Sequence, residues 1–480
     1  MISKLLQRYK ALNRGVKASL WILICTFLQK GISFITTPIF TRLLTTAEYG
    51  AYSSFSSWQD ILSVFITLNL SAGVYMQGLV KFDKEADIFT SSLQGLTLTL
   101  SVVWTIVYLL FHDWWNALLE LTTVQCLAML VMIWCTAVFN FWVVEQRVKL
   151  NYVTLVVITL IASVAKPIVG VILVLNAEDK VLARILGLAL VDLVCYGGLF
   201  FVQMRRGKVF CSKKFWKYAL AFNIPLIPHY LSQTVLNSAD RIMIKEMVGS
   251  GEAGIYNLAY SVSRIMGIFS TALLSTLSPW IYQKIKSKKF GEISEVVYPC
   301  LIGIAFINIA LIAFSPEVIT FFAPKAYADA IWVIPPVAMS LYFTFAYNVF
   351  AAFEFYNKKT WRIAFASVVG ALLNILLNYL AIPIWGYYAA GYTTLICYMV
   401  YCALHYMFMR DICKNELNGA KVYDFKILLM ISLLFLVCGF SFLFIYKLPW
   451  LRYSVIIVLL VLAIAKKNKV FSIIKKMKNK

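Results

Sequence analysis

Acidic residues are scarce in this chain. It holds 22 Asp and Glu among 480 residues, against 44 Lys and Arg and only 3 His. Charged residues of both signs make up 14% of the sequence, where a soluble domain carries about 25%. With 61% of the chain hydrophobic, and a folded surface already about 55–60% apolar in ordinary proteins, a water-soluble fold is excluded. The ten cysteines include no C-x-x-C pair, and most, such as Cys25, Cys126, Cys195 and Cys438, lie inside apolar runs. A metal site needs clustered ligands, so no metal and no other cofactor is expected, and the thiols read as buried free cysteines. Long polar segments are missing as well: the longest connections, near 205–214 and 410–425, leave no room for a soluble catalytic domain. A soluble enzyme, a nucleic-acid-binding protein and a secreted scaffold all fall away.

What is present is a succession of apolar runs. At about 20 apolar residues per crossing, the hydrophobic content fills roughly fourteen transmembrane helices. They are expected near 18–43, 50–79, 88–111, 117–144, 153–176, 181–204, 215–241, 253–282, 293–314, 327–356, 361–383, 387–409, 426–446 and 449–465. With the N-terminus placed inside, the cytoplasmic segments hold 33 Lys and Arg and the outer loops 8. The positive-inside rule then puts both termini of this multi-pass protein in the cytoplasm and accounts for the net charge without nucleic acid. The tail `KKNKVFSIIKKMKNK` at 466–480 reads either as resting on the anionic leaflet or as solvated.

An internal repeat organises the spans. Glu48, Gly50 and Tyr52 in `TAEYGAYS` recur as Glu252, Gly254 and Tyr256 in `GEAGIYNLAYS`, 204 residues on, and the same offset carries Gly187 onto Gly391. Six spans per repeat is an even number, so both copies enter the membrane in one orientation, a parallel repeat about an axis along the membrane normal. The expected fold is an all-α polytopic membrane protein of two six-helix lobes, 1–210 and 211–412. Two extra C-terminal helices and the basic tail occupy 413–480. A two-lobed transporter with a cavity between its lobes follows from this arrangement.

The stretches `FLQKGISFITTPIFTRLLTTAEYGAYS` (27–53) and `IPLIPHYLSQTVLNSADRIMIKEMVGSGEAGIYNLAYS` (224–261) resemble the first- and seventh-span signatures of the bacterial polysaccharide, or O-antigen-type, flippases. These belong to the multidrug, oligosaccharidyl-lipid and polysaccharide exporter superfamily. The resemblance implies a flippase of the bacterial cytoplasmic (inner) membrane that works by alternating access. Its cargo would be a polyprenyl-pyrophosphate-linked oligosaccharide, carried from the cytoplasmic to the outer leaflet for O-antigen or capsule biosynthesis. The partners it implies are membrane lipids, a coupling proton or sodium ion, and the polymerase and chain-length proteins of polysaccharide assembly.

Ionisable groups inside spans are costly and by default mark a cavity or pathway. At about 1.5 Å of rise per residue, Lys30, Asp60, Lys166, Asp192 and Arg264 all fall close to the midplane. Each is open to a second reading, a buried structural pair: Lys30 with Asp60, and Lys166 with Asp192, where Pro167 also frees a carbonyl. Arg264 lacks an obvious acidic partner in sequence and is the leading ligand contact, since a guanidinium matches phosphate oxygens bidentately. Ser and Thr at three- and four-residue steps accompany these charges in spans 1, 2 and 8. Arg42, Asp240 and Arg241 at outer ends, and Glu145 and Glu354 at cytoplasmic ends, are candidates for gate pairs or for interface anchors. Pro38, Pro225, Pro228, Pro383, Gly31 and Gly73 are candidate hinges.

The chain carries no G-x-x-x-x-G-K-[ST] nucleotide loop, so an ion or substrate gradient has to drive transport, with Asp60 the candidate coupling residue. Two competing readings stand beside the flippase. A multidrug or cation antiporter of the same superfamily calls for an acid-dominated cavity, which the balance of the five midplane charges disfavours. A membrane enzyme of glycan assembly needs acid–base groups, and neither an intramembrane histidine nor paired carboxylates are expected at one site.

Overall fold

The computed structural model describes residues 13–465, which are helix and turn with no strand among them; the basic tail at 466–480 lies outside the described residues. Lipid dictates this of an apolar segment, because each backbone N–H and C=O there has to bond within its own segment. In chain order the helices begin with α1 (Arg14–Leu43), α2 (Thr46–Thr67), α3 (Val74–Lys81), α4 (Ala86–Leu110), α5 (His112–Leu119), α6 (Thr123–Val148) and α7 (Tyr152–Leu175). They continue with α8 (Lys180–Asp192), α9 (Gly198–Gly207), α10 (Lys213–Asn223), α11 (Ile227–Met247), α12 (Ser250–Ser263) and α13 (Met266–Lys286). The last are α14 (Phe290–Ala313), α15 (Ser315–Phe322), α16 (Ile334–Tyr356), α17 (Thr360–Trp385), α18 (Tyr388–Asn415), α19 (Phe425–Ile445) and α20 (Pro449–Ala465).

Eleven helical stretches are long and apolar enough to cross a membrane. The three expected spans that miss this measure are the second, the seventh and the fourteenth. The second is interrupted between α2 and α3, where Leu68, Asn69 and Gly73 have φ of 50°, 51° and 40°. The seventh is interrupted between α10 and α11 by a short 3-10 turn, Ile224–Leu226, with Pro225 inside it and Pro228 just after. Each proline lacks an N–H and so leaves a carbonyl one turn back without its partner. The fourteenth, α20, is only 17 residues long. Of the candidate hinges, Gly73, Pro225 and Pro228 therefore fall at real interruptions, whereas α1 runs unbroken through Gly31 and Pro38 and Pro383 lies near the end of α17.

By contact the chain divides into two units, one ending at Thr234 and one beginning at Val235. The division falls inside α11, whereas the sequence reading sets its lobe boundary at 210/211. The cause is α10. Its Phe215 and Ala219 are buried in one cluster with Leu70, Val74, Tyr75 and Leu79 around α3, and with Phe89 and Leu93 of α4, so the first half of the seventh span stays with the first unit. Tyr75 stands edge-on to Phe141 of α6 at 4.7 Å between centroids, and its hydroxyl meets Thr90 at 2.8 Å. Close approach here needs glycine: a Cβ on Gly207 would lie 2.1 Å from the Asp87 carbonyl oxygen, and one on Gly95 only 2.0 Å from that of Phe210.

In the second unit α16 is the interior helix, buried along most of its length and packed against α14 and α18. The repeat-related glycines serve different crossings. Gly187 of α8 faces Gly170 of α7, while Gly391 of α18 faces Pro336 and Val337 of α16. The repeat is thus legible in sequence, yet each copy has specialised its packing.

Candidate functional site

In the first unit Lys166 and Asp192 meet, Nζ to Oδ1 at 2.7 Å. Asp192 is 1% exposed and Lys166 30%, so the carboxylate is enclosed and the ammonium reaches outward. Asp192 closes α8, and the chain widens there into a π-turn, Leu193–Gly197, before α9 begins. Such turns inside helices frequently mark functional sites. This one places Tyr196 so that the Lys166 ammonium lies 5.3 Å from its ring centroid and Phe139 stacks on the ring at 4.0 Å. Lys30 and Asp60 are both exposed, on α1 and α2.

The hydroxyls flanking these charges mostly close on their own helices. Thr26 donates to the Ile22 carbonyl, Thr37 to Ser33, Ser63 to Asp60, Thr67 to Ser63 and Thr271 to Gly267. Intrahelical bonding of this kind satisfies a hydroxyl without water.

At the interruption of the second span Asn223 solves the problem of the freed backbone. Wholly buried, its amide nitrogen donates to the carbonyls of both Leu68 and Asn69 at 2.9 Å. One side chain at the end of α10 thereby holds the break between α2 and α3. The motif tyrosine Tyr52 stacks on Arg184 of α8, whose guanidinium carbon is 3.6 Å from that ring and 4.0 Å from Phe40. Glu48, the motif's acid, forms a capping box with Thr45 at the start of α2.

Glu145 is enclosed in the last turn of α6. Its oxygens accept from Lys149 at 2.6 Å, Arg206 at 2.7 Å and Gln203 at 2.9 Å. Arg42 donates to the Pro38 carbonyl of its own helix at 2.9 Å.

In the second unit the long eighth span, 250–286, breaks near its middle. α12 ends at Ser263, and the Ile265 and Gly267 amides reach back three residues to the Val262 and Arg264 carbonyls before α13 resumes. Arg264 occupies this break. Its side chain is exposed, and its guanidinium carbon lies 5.9 Å from the Tyr260 ring. Arg241 of α11 approaches the same ring to 4.3 Å. Tyr260 is therefore shared by two guanidinium groups, a local concentration of positive charge that a tyrosine face can hold together.

Asp240, next in sequence to Arg241, is turned into the core at 2% exposure. Tyr256 donates to it at 2.6 Å, Asn378 at 2.6 Å and Thr394 at 2.8 Å, while Thr393 bonds Asn378 in turn. The motif tyrosine of the second repeat thus serves a carboxylate, where that of the first serves an arginine. These three neutral donors satisfy the buried carboxylate of Asp240 by hydrogen bonding. Glu354 of α16 pairs with His405 of α18, Nδ1 to Oε1 at 2.7 Å, both fully enclosed. His405 lies within a membrane span, which corrects the expectation of no intramembrane histidine.

Of the residues singled out in the sequence, Lys166 and Asp192 form the pair that one of their two readings expects. Sequence reasoning missed Asn223, Arg184, Tyr256, Asn378, Thr394 and His405. Asn374 and Asn378, four residues apart in the apolar run of α17, were a readable signal. His405 escapes a reading that weighs histidine only as a metal ligand.

Comparison with known proteins agrees with this architecture. The family model described as polysaccharide biosynthesis protein matches residues 16–285, and the MatE model matches residues 225–380. An "Uncharacterized membrane protein" of Haemophilus influenzae is 21% identical over 75% of this chain and 88% of its own length. The "Lsg locus putative protein 1" of the same organism is 32% identical over 23% of this chain and 29% of its own. Among solved structures, an inward-facing multidrug resistance MATE family transporter of the MOP superfamily superposes with a TM-score of 0.67 at 13% identity. It spans 84% of this chain and all of that one. The lipid II flippase MurJ, in its inward closed conformation, gives 0.64 at 15% identity, over 89% and 99%. The fold is that of the MOP-superfamily transporters. Within it, the chain belongs to the polysaccharide biosynthesis protein family.

Proposed function

We propose that the protein is a flippase that carries a polyprenyl-pyrophosphate-linked oligosaccharide from the cytoplasmic to the outer leaflet by alternating access, for assembly of a surface polysaccharide such as O-antigen or capsule. The observation that carries this reading is the pair of guanidiniums, buried Arg241 and exposed Arg264, both near the Tyr260 ring, with Arg264 between α12 and α13 in mid-span. The exposed planar fork of Arg264 matches the oxygens of a pyrophosphate. Within the first unit Lys166, held by Asp192 yet partly exposed, is a basic group available to an anionic ligand, and Lys30 and Asp60 are exposed. Asp240 with Tyr256, Asn378 and Thr394 supplies the station for a coupling proton or sodium ion. The excess of basic residues on inner segments supports an inner-membrane protein with both termini in the cytoplasm. The polymerase and chain-length proteins of the same assembly line are its natural partners.

The MatE match over residues 225–380 favours one alternative, a cation antiporter of the same superfamily. Binding separates the two. The purified protein is heated in detergent with a glycosylated polyprenyl pyrophosphate or with tetraphenylphosphonium. The flippase reading expects stabilisation by the pyrophosphate lipid in wild type, lost in Arg264→Ala, and none by the cation. Stabilisation by the cation alone would replace it with the antiporter.

A further inference from the structure

We propose that Glu354 and His405 form a proton-binding site in the second unit, separate from the Asp240 network. The two side chains come from α16 and α18, the tenth and twelfth spans, and touch at 2.7 Å with neither exposed. The second atom of each group, Glu354 Oε2 and His405 Nε2, is buried without a hydrogen-bond partner. The pair is therefore incompletely bonded on both sides, and the number of protons it holds sets its charge. With a proton on Nδ1 only, the ring is neutral and the sealed carboxylate carries an uncompensated charge. One more proton makes the pair neutral overall. Either proton count is chemically ordinary for imidazole beside a carboxylate.

Aromatic rings wall the pair: Tyr347 stacks on His405 at 5.3 Å, Tyr401 meets it edge-on at 4.6 Å and Phe408 lies at 6.4 Å. The charged groups packed around this end include three ion pairs: Arg362 of α17 with Asp411 of α18 at 2.5 Å, Lys284 of α13 with Glu292 of α14 at 2.6 Å, and Lys359, whose amide bonds the Glu354 carbonyl, with Glu416 at 2.8 Å. Arg410 of α18 is exposed and acts on Tyr406. The phenols of Tyr347 and Tyr401 touch the ring itself, and Cys402 lies three residues before it on α18.

The first repeat provides a built-in contrast. Glu145 occupies the last turn of the fourth span, as Glu354 does in the tenth, each just ahead of a left-handed residue, Leu150 at φ 54° and Lys358 at φ 58°. Glu145 also looks to the sixth span of its unit, as Glu354 looks to the twelfth. Its partners there are Gln203 and Arg206, with Lys149 completing the set. Those cations keep their charge at any physiological pH. The second repeat faces its carboxylate with an imidazole, which gains and loses a proton in that range. One copy of the station is locked and the other can switch. Proton loading here would use the driving gradient of the transporter reading, on which its physiological role rests; its existence as a site does not.

The test is nitrogen NMR of the full chain in lipid nanodiscs with labelled histidine. There are three histidines, so the His405 signals are assigned by their loss in His405→Gln. The expected result is a reversible change of the His405 ring between singly and doubly protonated forms as pH is varied. In Glu354→Gln the midpoint should move by about one pH unit or more, as loss of a contacting charge requires. A ring that stays in one form wherever the wild-type protein is folded would overturn the proposal, as would an unchanged midpoint in the variant. Should Glu354→Gln not fold, the wild-type titration alone decides. A protein that titrates here but binds no pyrophosphate lipid would keep this site and remove the flippase reading.

Discussion

A carboxylate at 1% exposure is tolerated only with a partner, and Asp192 has one cation, Lys166, within 2.7 Å. Taking away one member of such a pair strands the other, typically at about 3–5 kcal/mol. The two members are not equivalent, because the lysine is partly exposed and the aspartate is not. Lys166→Met should therefore destabilise the fold more than Asp192→Asn, and the double change should recover much of the loss. Thermal denaturation of the three variants in one detergent checks this order; equal losses for the two single changes would show that the pair is not enclosed as described. The same logic separates Asp240 from Asp192. Three neutral donors share the Asp240 charge, an arrangement that meets the cost of burial by hydrogen bonds where Asp192 has an ion pair.

At the scale of elements, polar residues sit where helices are interrupted. The second, seventh and eighth spans are interrupted, and each interruption carries a polar residue. Asn223 ties the breaks of the second and seventh together, and Arg264 occupies that of the eighth. Freed carbonyls in lipid need a donor, and Asn223 serves two at once. Asn223→Ala should cost about 1–3 kcal/mol for each carbonyl left bare, with faster hydrogen exchange at residues 67–73 as its local signature. Exchange unchanged there would mean that the break is held by something else. Much of this is readable in the sequence. Pro225, Pro228 and Gly73 announce irregular backbone, and the spacing of apolar runs gives the helices. Asn223 itself is not, because its carbonyl partners lie about 150 residues away and no local pattern links them. The Lys166–Asp192 pair is legible, since consecutive spans place equal depths side by side. The Asp240 network is not, because its donors come from three other helices and are individually ordinary polar residues.

Across the whole molecule the repeat explains both the likeness of the two units and their divergence. Glu-x-Gly-x-Tyr opens the second span and the eighth, yet Tyr52 faces Arg184 while Tyr256 faces Asp240. Glu145 is held by fixed cations and Glu354 by a histidine. The second unit holds the Asp240 network, the Glu354–His405 pair and the two guanidiniums near Tyr260. Fold likeness to both a multidrug transporter and a lipid II flippase gives the architecture and leaves the cargo to be read from these side chains. The decisive measurement is translocation of a polyprenyl-pyrophosphate glycan in proteoliposomes, with outer-leaflet exposure followed by an impermeant lectin. Wild type should expose the glycan, and Arg264→Ala, at equal folded protein, should not. Equal exposure by both would contradict the arginine site, and exposure by neither would contradict the flippase itself.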